Sequence, residues 1–289
     1  MQLRKKIEKK QFVITAEIEA PKGISAKEVL LNVNKIKSKV DAFNVTDMQA
    51  SRMRMSSWAL CIMLKQVGLE PIMQLTTRDR NVLALGGDLL AAFSFGIENL
   101  LLLTGDDPGW GDHPEAKGVF EFDSIGLIQL ANKLNSGCDW AGNKVEGKTN
   151  FYNGAALNPF SPNLDKELKK MDEKIKAGAS FFQTQPIFDV ERFKKFLDKY
   201  KPPVPVIAGI TLLKSEKMAC YLNNNIPGVE VPPAYIEKMK KAESKRKESV
   251  LISKNILTDL KNICQGAHFM PFGWFDELGQ ILVNEQRNR

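Results

Sequence analysis

The chain has 289 residues, 43% hydrophobic and 26% charged, with a formal net charge of +7. That length buries a substantial core and suits either one large α/β barrel or two smaller domains. The composition excludes a disordered chain, and no apolar run is long enough for a membrane span. The basic start MQLRKKIEKKQ has neither the apolar stretch nor the small-residue cleavage site of a secretory signal, so a cytoplasmic location is expected. Cys61, Cys138, Cys220 and Cys264 form no CxxC pair, and the two histidines, His113 and His268, are far apart. That spacing argues against a compact zinc site or a disulfide framework, and no metal is expected. Much of the positive excess sits in RKKIEKK and in KMKKAESKRKE at 238–248. Both stretches interleave Glu and lack aromatics, the pattern of solvated helix faces and not of a nucleic-acid site.

The elements alternate along the chain. FVITAEIE (12–19) is a strand, and SAKEVLLNVNKIKSKV (25–40) a helix with Ser25 as its cap and Val29, Val33, Ile36 and Val40 at helical spacing. Strand DAFNVT (41–46), helix MSSWALCIMLKQVG (55–68) and strand EPIMQLT (70–76) follow, then helix RDRNVLALGGDLLAAFSFG (78–96) and the continuous apolar strand IENLLLLTG (97–105). Residues 105–122, rich in Gly, Pro and Asp, form a loop of the length that often carries function. Helix DSIGLIQLANKLNSG (123–137), strand KTNFYNGAAL (148–157), helix NLDKELKKMDEKIKAG (163–178), strand ASFFQTQ (179–185), helix DVERFKKFLDKY (189–200) and strand VPVIAGI (204–210) continue the alternation. A helical region from about 214 to 263, a strand AHFMPFG (267–273) and a closing helix WFDELGQILVNEQ (274–286) complete it.

About eight strand–helix units predict a (β/α)8 TIM barrel, one domain over 1–289, with extra helices before the last strand. An open doubly wound sheet is the alternative, but no GxGxxG follows the first strand and no domain linker is evident.

Chemistry in such barrels gathers at the C-terminal strand ends. Here they carry Glu17 and Glu19; Asn44, Thr46 and Asp47; Gln74, Thr76, Arg78 and Asp79; Thr104, Gly105 and Asp106; Asn158; and Gln183, Thr184 and Gln185. Thr46 and Asp79 are equally well read as caps of the following helices. Period-two alternation puts Val13, Thr15, Glu17 and Glu19 on one face of the first strand, which would aim Glu17 into the barrel mouth. Asp106, after a run of leucines and a flexible glycine, would accept paired N–H donors from a heteroaromatic ring, and Gln185 offers a donor and an acceptor. An acid and ring-edge partners suit a flat heterocycle such as a pterin or purine.

In order, TAEIEAPKG, NVTDMQASRMRMSS, QLTTRDRN, LTGDDP, FDSIGLI, AALNP, KAGASFFQTQPIFD and LLKS resemble the methylenetetrahydrofolate reductase family over roughly residues 12–285. The likeness is greatest to the branch fused to homocysteine methyltransferase domains or working as a short stand-alone subunit. The resemblance implies a flavin-dependent barrel that reduces methylenetetrahydrofolate. It makes Glu17 the general acid, and Asp106 and Gln185 the folate partners. It also places Thr46, Gln74, Thr76, Arg78, Asn158 and Lys174 along the flavin site, with Arg78 and Lys174 as candidate phosphate partners. Gln74 stands where many members have His, Thr104 where many have Arg, and Glu173 where an Arg toward the flavin diphosphate is common. The implied cofactor is therefore FAD with FMN as the alternative. The implied partners are NAD(P)H or an electron-transferring subunit, in an oligomer or hetero-complex. The competing functions are a flavin-free pterin-binding methyltransferase barrel and a non-catalytic folate- or nucleic-acid-binding subunit.

Overall fold

The computed structural model describes residues 2–285, so Gln286 at the end of the predicted closing helix lies outside the described residues, as do residues 1 and 287–289. Eight parallel strands close into a barrel in chain order: β1 (Val13–Glu19), β2 (Ala42–Thr46), β3 (Pro71–Thr76), β4 (Asn99–Leu103), β5 (Tyr152–Leu157), β6 (Phe181–Pro186), β7 (Val206–Thr211) and β8 (Gly266–Met270). The helices are α1 (Gln2–Glu8), α2 (Lys27–Ile36), α3 (Ser57–Gln66), α4 (Val82–Ser94), α5 (Ser124–Ser136), α6 (Leu164–Ala177), α7 (Val190–Tyr200), α8 (Glu216–Asn225), α9 (Pro233–Lys241), α10 (Lys245–Leu260) and α11 (Phe275–Ile281). The predicted (β/α)8 barrel is therefore present. The extra helical mass before the last strand is α8, α9 and α10.

Strand alternation divides the core in two. Outward residues such as Ile14, Ala16 and Ile18 of β1 pack against the surrounding helices. Inward residues Val13, Ala42, Ile72, Leu101, Tyr152, Phe181 and Ile207 form an apolar floor inside the barrel. The Tyr152 and Phe181 rings stack there at 5.1 Å between centroids. Gly154 makes room for them, since a Cβ on it would lie 2.3 Å from Phe181. The N-terminal basic segment does more than present a solvated face, because α1 inserts Leu3 and Ile7 beneath this floor. Arg4 lies over the Tyr152 ring at 5.6 Å, and Lys6 pairs with the buried Asp41 carboxylate.

Side-chain caps set several helix starts. Asn81, Asp123, Asn163 and Asp189 accept backbone N–H groups at the first turns of α4, α5, α6 and α7. Gly137 and Gly178 end α5 and α6 with φ of 86° and 113°, a left-handed conformation that a Cβ disfavours.

Several boundaries differ from expectation, among them the start of α4 at Val82 instead of residue 78 and the end of β8 at Met270 instead of residue 273. Ser25 does not cap α2; Ala26 holds that position, and Ser25 Oγ accepts only a 3.4 Å contact from the Lys27 N–H. Strand β5 begins at Tyr152 instead of residue 148, because Asn135 Oδ1 on α5 takes the Thr149 hydroxyl and the Phe151 N–H at 2.7 Å each. The closing helix ends at Ile281, ahead of the predicted 286.

Candidate active site at the barrel mouth

Parallel register stacks the inward side chains in levels. Thr15 pairs with His268 across β1 and β8, Glu17 with Asn44, and Glu19 with Thr46 across β1 and β2. Above the apolar floor therefore lies a polar level that includes Thr15, Asn44, Gln183 and His268. Within it, Asn44 Nδ2 donates to Gln183 Oε1 at 2.8 Å, spanning the barrel from β2 to β6. Thr15 Oγ1 and His268 Nδ1 are 2.9 Å apart.

Glu17, the register partner of Asn44, is the next inward residue beyond Thr15 on β1. Its side chain is 11% exposed, with Oε2 3.7 Å from His268 Nε2. Oε1 is 3.4 Å from Gln49 Nε2. His268 is fully buried, and its Nε2 has no hydrogen-bond partner. A neutral imidazole protonated on Nε2 would accept the Thr15 hydroxyl at Nδ1 and aim its N–H at Glu17. Glu19 is spent at the rim, where Arg54 Nη2 meets its Oε2 at 2.5 Å.

Strand β2 contributes two further buried polar atoms without partners, Asn44 Oδ1 and Thr46 Oγ1. Neither Thr46 nor Asp79 caps a helix: α3 has no side-chain cap, Asn81 caps α4, and Asp79 takes a two-pronged bond from Arg78 at 2.8 and 2.7 Å. Orphaned buried polar groups are costly in a finished core, and these two lie on the strand that carries the register partners of Glu17 and Glu19.

Of the other predicted site residues, Thr76 and Asn158 are committed within the chain. Thr76 gives both its N–H and its hydroxyl to buried Asp47 at 2.9 Å, and Arg80 pairs with the same carboxylate at 2.8 Å. Gln74 is buried on β3. Asn158 Nδ2 donates to the Pro227 carbonyl at 2.8 Å, tying β5 to the loop after α8. Gln185 is exposed at the end of β6.

Arg78 and Asp106 hold the loop after β2. Arg78 Nη1 reaches the Met48 carbonyl and Ser51 Oγ at 3.2 Å each. Asp106 Oδ2 accepts the Ala50 N–H at 3.2 Å, and its carbonyl accepts the Ser51 hydroxyl at 3.0 Å. Met48, Ala50 and Ser51 have φ of 49°, 53° and 53°. Each left-handed non-glycine costs about 1–2 kcal/mol, so the loop needs these anchors to keep its shape.

Lys174 lies under β5, with Nζ donating to the Ala156 carbonyl at 2.7 Å. Burial pushes its amine below the ordinary 10.5, with Glu167 opposing the shift. The unfolded chain thus binds this proton more readily. The stability cost is full below the lowered folded value and disappears as pH rises through 10.5. The unfolding free energy of the protein minus that of Lys174→Met should therefore increase with pH on the approach to 10.5. Urea denaturation at stepped pH checks this, and a flat or falling difference contradicts it.

A cavity of about 540 Å³ opens beside Glu17, between the loops after β1 and β8, with Arg54, Lys214, Pro271 and Phe272 in its wall. Its size is that of a small-molecule site. His268 and Gln49 are the mouth residues that sequence reasoning missed. The period-two pattern of β8 was the available signal for His268, which had been weighed only as a metal ligand.

Fold and site together define a parallel (β/α)8 barrel with an acid–imidazole pair at its mouth. Residues 2–281 match the family model described as methylenetetrahydrofolate reductase, and the chain belongs to that family. Among curated relatives, methylenetetrahydrofolate reductase 2 of Saccharomyces cerevisiae is 27% identical over 154 residues, 50% of this chain and 24% of the yeast protein's length. Among solved structures, an uncharacterized Clostridium thermocellum protein that binds two copies of 5-methyl-5,6,7,8-tetrahydrofolic acid aligns with TM-score 0.68 at 16% identity, covering 99% of this chain and 98% of that one. A 2,3-dimethylmalate lyase aligns with TM-score 0.57 at 10% identity, covering 98% and 82%. At these identities the structural likenesses speak for the fold alone.

Proposed function

We propose that this chain reduces 5,10-methylenetetrahydrofolate to 5-methyltetrahydrofolate with a flavin as electron carrier. The observation that carries the proposal is Glu17, a largely enclosed carboxylate beside buried His268 at the mouth of a barrel of this family. In this role Glu17 delivers a proton to N10 as the five-membered ring of the folate opens, leaving an electrophilic methylene carbon. His268 and Gln49 hold the carboxyl group in place. A bound flavin would supply hydride chemistry at that carbon.

Asp106 would accept the pterin N–H donors, exchanging its Ala50 contact for the ligand, and Gln185 would hold the folate from the β6 side. The orphaned Thr46 Oγ1 and Asn44 Oδ1 fit the polar edge of an isoalloxazine ring. Gln74 and Thr76 continue that wall. Arg78, Lys174 and Asn158 are turned toward their own chain, which leaves the two assigned phosphate partners engaged. Glu173, standing where family members commonly carry an Arg toward the flavin diphosphate, supports FMN, with its single phosphate, over FAD. Electrons would come from NAD(P)H or from a partner subunit reaching the same open mouth. The solved fold neighbour that binds 5-methyltetrahydrofolic acid is in keeping with a folate ligand. The test is whether the purified protein, reconstituted with FMN or FAD, binds flavin and passes its electrons to methylenetetrahydrofolate.

A further inference from the structure

Gln49, Ala50 and Ser51, in the loop after β2, lie between two carboxylates that belong to other strands. Gln49 Nε2 donates to Glu17 Oε1 of β1 at 3.4 Å, and the Ala50 N–H donates to Asp106 Oδ2 after β4 at 3.2 Å. The ends of this segment are fixed by other groups. Arg78 Nη1 holds the Met48 carbonyl and Ser51 Oγ, and the Asp106 backbone carbonyl takes the Ser51 hydroxyl. The loop after β4 also packs flush against Ser51, since a Cβ on Gly111 would lie 1.8 Å from the Ser51 carbonyl oxygen. The middle is held differently. There the Gln49 amide and the Ala50 N–H depend on the side chains of Glu17 and Asp106, the proposed acid and the proposed pterin partner. The middle is also strained: Ala50 has φ of 53° and ψ of 33°, which a Cβ disfavours, and Gln49 Oε1 is buried without a hydrogen-bond partner. The peptide unit joining the two residues is further held only by a long 3.3 Å bond from the Arg52 N–H to the Gln49 carbonyl. A turn of this one unit gives up two long hydrogen bonds and relieves Ala50.

We propose that Gln49 is a positioning residue, the catch of a latch through which a pterin bound at Asp106 releases the acid Glu17. The latch rests on the roles proposed above for Glu17 and Asp106 and adds the link between them. A pterin edge presents two adjacent N–H donors, and pairing with both takes both oxygens of the Asp106 carboxylate. Oδ2 then leaves the Ala50 N–H. The Gln49–Ala50 peptide unit turns, Ala50 relaxes out of the left-handed region, and the Gln49 amide withdraws from Glu17. The consequence for the acid is chemical. An amide N–H meets only an oxygen that carries no proton, so the latched geometry suits the carboxylate, whereas a general acid must hold a proton on an oxygen that faces the substrate. Released from Gln49, Oε1 carries that proton toward N10 while His268 stays beside Oε2. Gln49 thus holds the carboxyl group in the free protein, and His268 holds it once folate is bound.

The test uses the full chain, reconstituted with flavin and reduced anaerobically, with 5-methyltetrahydrofolate as a ligand that then has no electrons to give up. In protein isotopically labelled at alanine and methionine, solvent exchange of the Ala50 amide should quicken by about tenfold or more on saturation with the ligand. The Met53 amide, held by Asp112 Oδ1 at 2.9 Å, should stay within about twofold of its ligand-free rate. Two variants should move folate affinity in opposite directions. Ala50→Gly removes no ligand contact but eases the latched backbone, so binding should weaken by about fivefold. Gln49→Ala removes the catch, so binding should tighten by about twofold or more. A loop with a merely structural role would move both affinities the same way or neither. The exchange measurement needs no variant and decides the matter if either one misfolds. An Ala50 amide as protected with folate bound as without it, or two affinities that move together, would overturn the latch and leave the proposed reaction standing. Failure to bind 5-methyltetrahydrofolate at all would overturn the roles given to Asp106 and Glu17, and the latch with them.

Discussion

Glu17→Gln is expected to slow formation of 5-methyltetrahydrofolate by about 100- to 10,000-fold, the usual contribution of a positioned general acid. Flavin content and reduction of the flavin by its donor should stay near wild type. The substitution keeps the shape of the side chain and its capacity to meet Gln49 and His268, so the neighbours that fix Glu17 have little reason to move. What it removes is the proton. A purely structural carboxylate would behave differently, since its replacement by an isosteric amide would disturb folding and flavin binding together. Single-turnover measurement of each half-reaction separates the cases, and unchanged folate turnover would remove Glu17 from the role of acid.

Phe181→Ala is expected to cost about 3–5 kcal/mol of stability, the range for a large aromatic deleted from a packed core. Phe181 is fully buried, stacks on Tyr152 and fills the space that Gly154 leaves open. Leu3 and Ile7 close the floor from below, so collapse into the cavity is restricted on that side. Guanidinium denaturation should show a lower midpoint with a similar slope. A loss below about 1 kcal/mol would mean that the floor relaxes around the gap, against the rigid packing inferred here.

These two residues also show what could be read from sequence. The period-two pattern of β1 placed Glu17 on the inward face, and the barrel confirms that face, because alternation is a local property of a strand. The run of strand–helix units likewise announced the barrel. His268 was not legible as a neighbour of Glu17: its partner Thr15 lies 253 residues away, and only closure of β8 onto β1 brings them together. The commitments of Arg78 and Lys174 were hidden for a similar reason. Sequence supplies the cations but not the Met48 and Ala156 carbonyls that receive them. The left-handed Met48, Ala50 and Ser51 carry no glycine signal at all, since the loop holds its shape through Asp106 and Arg78.

The half-reaction between reduced flavin and folate tests the central claim most directly. Flavin-reconstituted protein, reduced anaerobically with dithionite and freed of excess reductant, is mixed with 5,10-methylenetetrahydrofolate while absorbance near the oxidised-flavin band is followed. Return of the yellow colour, with one 5-methyltetrahydrofolate formed per flavin, is the predicted result. A flavin that stays reduced with folate bound, or methyl transfer by protein that retains no flavin, would contradict it.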